Sequence, residues 1–239
     1  YPKNLVSDIQ EKQFTTLGQN ITAIEIDGTF DDCQKLVKQA FLDKEINTAL
    51  CLTSANSINI ARLIPQAFYY FYGYAQMPDK AKKIICAVPS GNFGNLTAGL
   101  LAKKMGLPIN RFIASTNVND IVPKYLLSGI YEPKPSVATI ANAMDVGNPS
   151  NFARILDLYD QSHEAINRDI TGYSYTDDVI RKSILQVYQD YNYILDPHGA
   201  TGFEALSKHI KPDDEEGFFI ETAHPAKFCD TVEGVLQQK

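Results

Sequence analysis

Between Lys83 and Gly106 the chain reads Ile84-Ile85-Cys86-Ala87-Val88, then Pro89, then Ser90-Gly91-Asn92-Phe93-Gly94-Asn95, then Leu96-Thr97-Ala98-Gly99-Leu100-Leu101-Ala102-Lys103-Lys104-Met105. Five consecutive apolar residues suit a strand covered on both faces, which calls for a parallel sheet with helices above and below it. The apolar spacing after Asn95 suits a helix, stopped by Gly106 and Pro108. The loop between them is therefore a helix N-terminus. Gly91 and Gly94 let its backbone fold sharply and come close to a ligand, and first-turn amides carry the positive end of the helix dipole. Such a loop holds a phosphate or carboxylate. The three-glycine dinucleotide fingerprint and the Gly-Lys-Ser/Thr ending of a P-loop are both absent. On residue chemistry alone, a plain capped turn is the favoured reading.

The remainder repeats the alternation. Gln10 to Gly18 reads as a short helix and Ala23-Ile24-Glu25-Ile26 as an alternating strand. Thr29 caps a predicted helix with the stripe Phe30, Cys33, Leu36, Val37, Ala40 and Phe41, and Ala49-Leu50-Cys51-Leu52 reads as a second strand. The polar stretch Thr53 to Asn59 precedes an apolar helix in which Pro65 predicts a kink or restart. For Asn56, Ser57 and Asn59, capping and ligand contact are both open. Tyr69, Tyr70, Phe71, Tyr72 and Tyr74 suit packing against a neighbouring lobe or subunit. Arg111 to Ser115 is a predicted strand followed by polar Thr116 to Asp120, and Ser128 to Ser150, rich in Pro, Gly, Ser and Asn, a long surface excursion. Helices are predicted at Phe152 to Tyr159, Thr176 to Tyr191 and Pro197 to His209, with strands at Tyr193 to Leu195 and Gly217 to Thr222. The pattern as a whole is an open α/β sheet.

Composition narrows the function classes. With 22 basic and 28 acidic residues the formal charge is −6, which favours neither nucleic acid nor an anionic membrane. No apolar stretch reaches the length of a membrane helix, and the start carries no signal-peptide pattern. Cys33, Cys51, Cys86 and Cys229 are scattered, the pattern of a reduced, cytoplasmic protein. His163, His198, His209 and His224 lack the pairing of a zinc site, so no metal is expected. His198, in a polar turn, reads as organising that turn, and His224 as supporting Thr222.

Five segments carry more specific information: Asn56 to Leu63, Pro89 to Gly99, Thr116 to Asp120, Asn142 to Val146, and Thr222 to Phe228. Together and in this order they resemble the threonine synthase family, over nearly the whole chain. The resemblance implies a tryptophan-synthase-β-like, fold type II pyridoxal-phosphate enzyme, a lyase of threonine biosynthesis that converts O-phosphohomoserine and water to threonine and phosphate. It implies that Ser90, Gly91, Asn92, Phe93, Gly94 and Asn95 cradle the cofactor phosphate. It also implies that the Thr222 hydroxyl meets the pyridine nitrogen, and that Ser57, Asn59 and Arg62 contact the substrate phosphate.

Members of that family hold the cofactor through a lysine in a Phe-Lys-Asp-like motif and bind the substrate carboxylate with a Ser/Thr-Gly-Asp-Thr-Gly-like loop; neither motif occurs here. The expectation is thus an incomplete enzyme: residues 1–52 the remainder of a small α/β lobe, residues 53–239 an incomplete large cofactor-binding lobe, and a chain inactive by itself. Cofactor binding is expected to be absent or weak, and apolar surface left uncovered makes a dimer a fair expectation. The alternatives are a threonine-synthase-like protein that binds phosphate or cofactor without catalysis, or another fold type II lyase such as a threonine dehydratase or cysteine synthase.

Overall fold

Every residue from Ile84 to Pro89 is buried in the computed structural model, which describes residues 1–56 and 59–237. These residues form β1 (Lys83–Pro89), an interior strand of a four-stranded sheet. β2 (Arg111–Thr116) and β3 (Ile170–Ser174) follow on one side, and β4 (Glu215–Phe219) lies on the other, giving the order β3-β2-β1-β4 with every pairing parallel. The expected open, parallel α/β sheet is present. Chain direction across the sheet reverses between β1 and β4, and in sheets of this kind the crevice at the carboxyl ends of such a strand pair is where ligands bind.

The chain divides into two units, residues 1–54 and 55–239. The first unit holds α1 (Asp8–Thr15), α2 (Phe30–Leu42) and α3 (Lys44–Leu50). α2 begins at Thr29 as expected, with a reciprocal capping box between Thr29 and Asp32. The two strands expected here are not formed. Ala49-Leu50 closes α3, which Asp43 caps and Cys51 ends in a left-handed conformation; a four-residue apolar run suits either element, and the cap decides. Ile26 makes a single parallel bridge to Pro2, and Ile21 to Glu25 lie in no strand.

In the second unit, a 3-10 turn (Ile60–Arg62) leads into α4 (Leu63–Ala75), so the chain restarts rather than kinks, with Pro65 in the first turn where its missing N–H costs nothing. α5 (Gly94–Lys104) and α6 (Ile121–Ser128) precede the long excursion, whose only regular element among the described residues is a 3-10 turn (Asn142–Met144). α7 (Phe152–Leu158) and α8 (His163–Asp169) follow, then α9 (Asp177–Tyr191), α10 (Pro197–His209) and α11 (Cys229–Leu236). No strand forms at Tyr193 to Leu195: Asn192 ends α9 in the left-handed region, and only Leu195 of the three is buried.

Alternation along β1 sorts the core into two layers. Ile84, Cys86 and Val88 join Leu63, Tyr70, Leu96 and Phe112 beneath α4 and α5. Ile85 and Ala87 join Ile113, Ile180, Ile184 and Ala200 beneath α9 and α10. Each fully covered Ile or Phe contributes about 1.5–3 kcal/mol of transfer free energy, so the strand that the sequence marks most clearly also holds both layers together. No described helix is long and apolar enough to cross a membrane.

Candidate active site

A cleft of about 1030 Å³ opens at the carboxyl ends of β1 and β4, lined by Ser90 to Asn95 on one side and Ile220 to Thr222 on the other. Arg62, Tyr69 and Tyr72, the last two well exposed, stand along its rim. Its position is the one the strand order dictates.

The loop after β1 is built by distant partners. The Ser90 N–H donates to Ser115 O at 2.8 Å and its hydroxyl to Val88 O at 2.8 Å, so Ser90 ties the loop to the sheet. Phe93 sits in the left-handed region at φ 61 with its ring buried against Phe152. That turn aims the start of α5 into the cleft, and no side chain caps the helix, so the amides of Gly94, Asn95 and Leu96 begin it with neither cap nor intrahelical partner. The side chains of Asn92 and Asn95 serve the scaffold. Asn92 Oδ1 accepts from the Ser150 N–H at 2.6 Å and from its hydroxyl at 2.9 Å, while Asn95 O and Oδ1 both accept from the buried Tyr70 hydroxyl at 2.8 and 2.9 Å. Gly91 lies flat against the 142–144 turn: a Cβ there would stand 2.7 Å from Ala143 O and 2.7 Å from Met144 Cα. Only glycine fits.

That turn is fixed in place by a polar network the sequence did not announce. Asn117 Nδ2 donates to Thr139 Oγ1, Ala141 O and Asp145 Oδ1, and Asn119 Oδ1 accepts from the Val137 N–H. Burial raises the Asp145 pKa, against the hydrogen bonds from Thr139 and Asn117 that pull it down.

The opposite wall carries Thr222, exposed to the cleft, beside Glu221. Glu221 packs against Gly199 at the N-terminus of α10, with both carboxyl oxygens buried and neither hydrogen-bonded. Burial and the neighbouring Asp196 push its pKa up to about 9. For Asp196, burial works upward but the hydrogen bonds it accepts from His198 outweigh it, and its pKa is lowered. Asp196, which accepts from the His198 backbone N–H and from Nδ1, is held toward its charged form, and burial holds the Glu221 carboxyl toward its protonated form.

The other expected residues are dispersed. Asn59 Oδ1 accepts from the Ala61 N–H at 3.0 Å, capping the 3-10 turn, and Arg62 donates to Ala55 O at the cleft rim. Ser57 lies outside the described residues. His198 sits in the first turn of α10, its N–H accepted by Asp196, whereas exposed His224 caps the Pro225–Phe228 turn by accepting from the Ala226 N–H. Among the described residues no three of His, Cys, Asp and Glu converge as a metal site, and no lysine lines the cleft.

A bare helix N-terminus in a crevice between diverging parallel strands, with glycine backbone as its floor, suits a phosphate-bearing cofactor. The sheet and site thus define an α/β protein of the phosphate-cofactor type. A family model described as "Pyridoxal-phosphate dependent enzyme" matches residues 3–218, and the chain belongs to that family, with the sheet of fold type II. It is 49% identical to the threonine synthase of Haemophilus influenzae, over 99% of this chain and 55% of that protein. The crystal structure of threonine synthase from Escherichia coli superposes with a TM-score of 0.93 at 45% identity, over all of this chain and 55% of that one. The pyridoxal-phosphate-bound threonine synthase from Brucella melitensis gives 0.85 at 36% identity, over 98% of this chain and 56% of that one. The chain spans about half the length of the relatives it matches.

Proposed function

We propose that the whole protein carrying this chain is a threonine synthase, converting O-phospho-L-homoserine and water to L-threonine and phosphate with pyridoxal 5'-phosphate. The observation that carries the reading is the uncapped α5 N-terminus in the cleft between β1 and β4; identity to threonine synthases along the whole chain supports it. When bound, the cofactor supplies the electron sink for a β,γ-replacement. This chain's part is to hold and orient it. The amides of residues 91 and 94–96 grip the phosphate with the helix dipole behind them. Thr222 presents a neutral hydroxyl to the ring nitrogen, which favours an unprotonated ring and so moderates the sink. Tyr69 and Tyr72 restrict water at the rim, and Arg62, with Ser57 and Asn59 near it in sequence, receives the substrate phosphate.

With no lysine among the described lining residues, the 239 residues alone bind phosphate compounds and do not turn over substrate. The test has two arms. Calorimetric titration of this chain with pyridoxal phosphate should give a weak one-site isotherm that inorganic phosphate competes away. The whole protein should release phosphate from O-phosphohomoserine with threonine as co-product. Release of ammonia from threonine instead would identify a dehydratase, and binding without turnover in the whole protein would leave a non-catalytic relative.

A further inference from the structure

The Ala143 N–H, in the 142–144 turn, donates to Nε2 of His198 in α10 at 3.1 Å, 55 positions further along the chain. An Nε2 that accepts carries no proton, so the ring's proton is on Nδ1, which lies 2.6 Å from Asp196 Oδ1 and donates to it. The same carboxylate oxygen takes the His198 backbone N–H at 2.8 Å. Asp196 is 0% and His198 2% exposed, and the ring packs against Phe228 with centroids 4.8 Å apart. Orientation and tautomer of the imidazole are therefore set from both ends. The turn it holds is the one whose Ala143 O and Met144 Cα bear directly on Gly91.

These contacts form a continuous path from the β4 exit to the loop after β1: Glu221 against Gly199, Gly199 and His198 to Asp196, His198 to Ala143, and the turn against Gly91. We propose that His198 is a positioning residue that, through the Ala143 N–H, presses the 142–144 turn against Gly91 and so sets the shape of the phosphate cradle at residues 91–96. The proposal rests on reading that loop as a phosphate cradle, yet its mechanical half stands apart from any ligand. Asp196 serves as the anchor of the imidazole. His198 touches no part of the cleft floor itself, and its influence runs through the turn.

Two substitutions separate this role from simple capping of α10. In His198→Gln the side-chain amide reaches the Nε2 position and can accept from Ala143, while the Nδ1 partner of Asp196 is lost. In His198→Asn the amide overlays Nδ1 and keeps Asp196, but is too short for Ala143. Amide hydrogen exchange, read residue by residue on the 239-residue chain, should show Ala143 and residues 91–95 exchanging about fivefold faster or more in His198→Asn, and near-native rates in His198→Gln. Calorimetric titration with pyridoxal phosphate should rank the affinities in the same order, with His198→Asn weaker by about fivefold or more. The reverse order in exchange, or rates at 91–95 unchanged in both variants, overturns the proposal. If the unsubstituted chain binds no pyridoxal phosphate, the cradle reading fails, and the exchange arm still decides whether His198 shapes the loop.

Discussion

Replacing Gly91 by alanine places one methyl group where the structure has room for none. Its Cβ would stand 2.7 Å from both Ala143 O and Met144 Cα, whereas ordinary contact begins near 3.4 Å. Both obstacles are backbone atoms, so no side chain can swing aside, and the loop or the turn must give by several tenths of an ångström. Forcing a group into a packed site costs about 1–3 kcal/mol, and each kcal/mol lowers the melting temperature of a unit this size by about 2–4 °C. The same shift would move the 91–96 amides, and hydrogen bonds from them to the proposed anion would hold only over a few tenths of an ångström. Losing one charge-assisted bond of about 1.5–3 kcal/mol weakens binding about ten- to a hundredfold. Thermal unfolding and calorimetric titration with pyridoxal phosphate read the two effects separately. Gly234→Ala in α11, where a Cβ meets nothing within 4 Å, is the control and should hold or slightly raise stability. A Gly91→Ala chain with native melting temperature and native affinity would refute the packing argument.

Two further perturbations address the walls of the cleft. Glu221 has its folded pKa raised to about 9 from 4.5, so the folded chain binds the extra proton and stability falls as pH rises through that window, by up to about 1.4 kcal/mol per pH unit. Glu221→Gln, which keeps the shape but cannot ionise, should flatten that fall in denaturant titrations between pH 5 and 9; an unchanged slope would place the proton elsewhere. Tyr70→Phe removes the hydroxyl that donates to Asn95 O and Oδ1, at a cost of about 1–3 kcal/mol for the buried acceptors left behind, measured by denaturant unfolding.

How much of this was legible depended on the range of the forces involved. β1 and α5 were readable because burial on both faces and a helical stripe leave local marks. Ala49 to Leu52 misled because a short apolar run carries no period, and the Asp43 cap, six residues before Ala49, decides its state. β3 passed unread because Gly172 breaks its pattern, yet a Cβ there would meet Leu126 and the Pro123 backbone within 3 Å: the glycine is what lets α6 lie on the strand. The same holds within the site. Glycines marked the loop at 90–95, but nothing local tells that Asn92 serves Ser150, that Asn95 serves Tyr70, or that Gly91 faces a turn some 50 residues away. The Asp196, His198 and Glu221 cluster joins α10 to the β4 exit, and only the folded chain brings those elements together.

Residue-resolved amide exchange of this chain with and without pyridoxal phosphate tests whether the bare N-terminus of α5 is a phosphate site. Slowed exchange confined to the amides of residues 91–96 and to Thr222 is the expected result. Slowing elsewhere with residues 91–96 unaffected would contradict it.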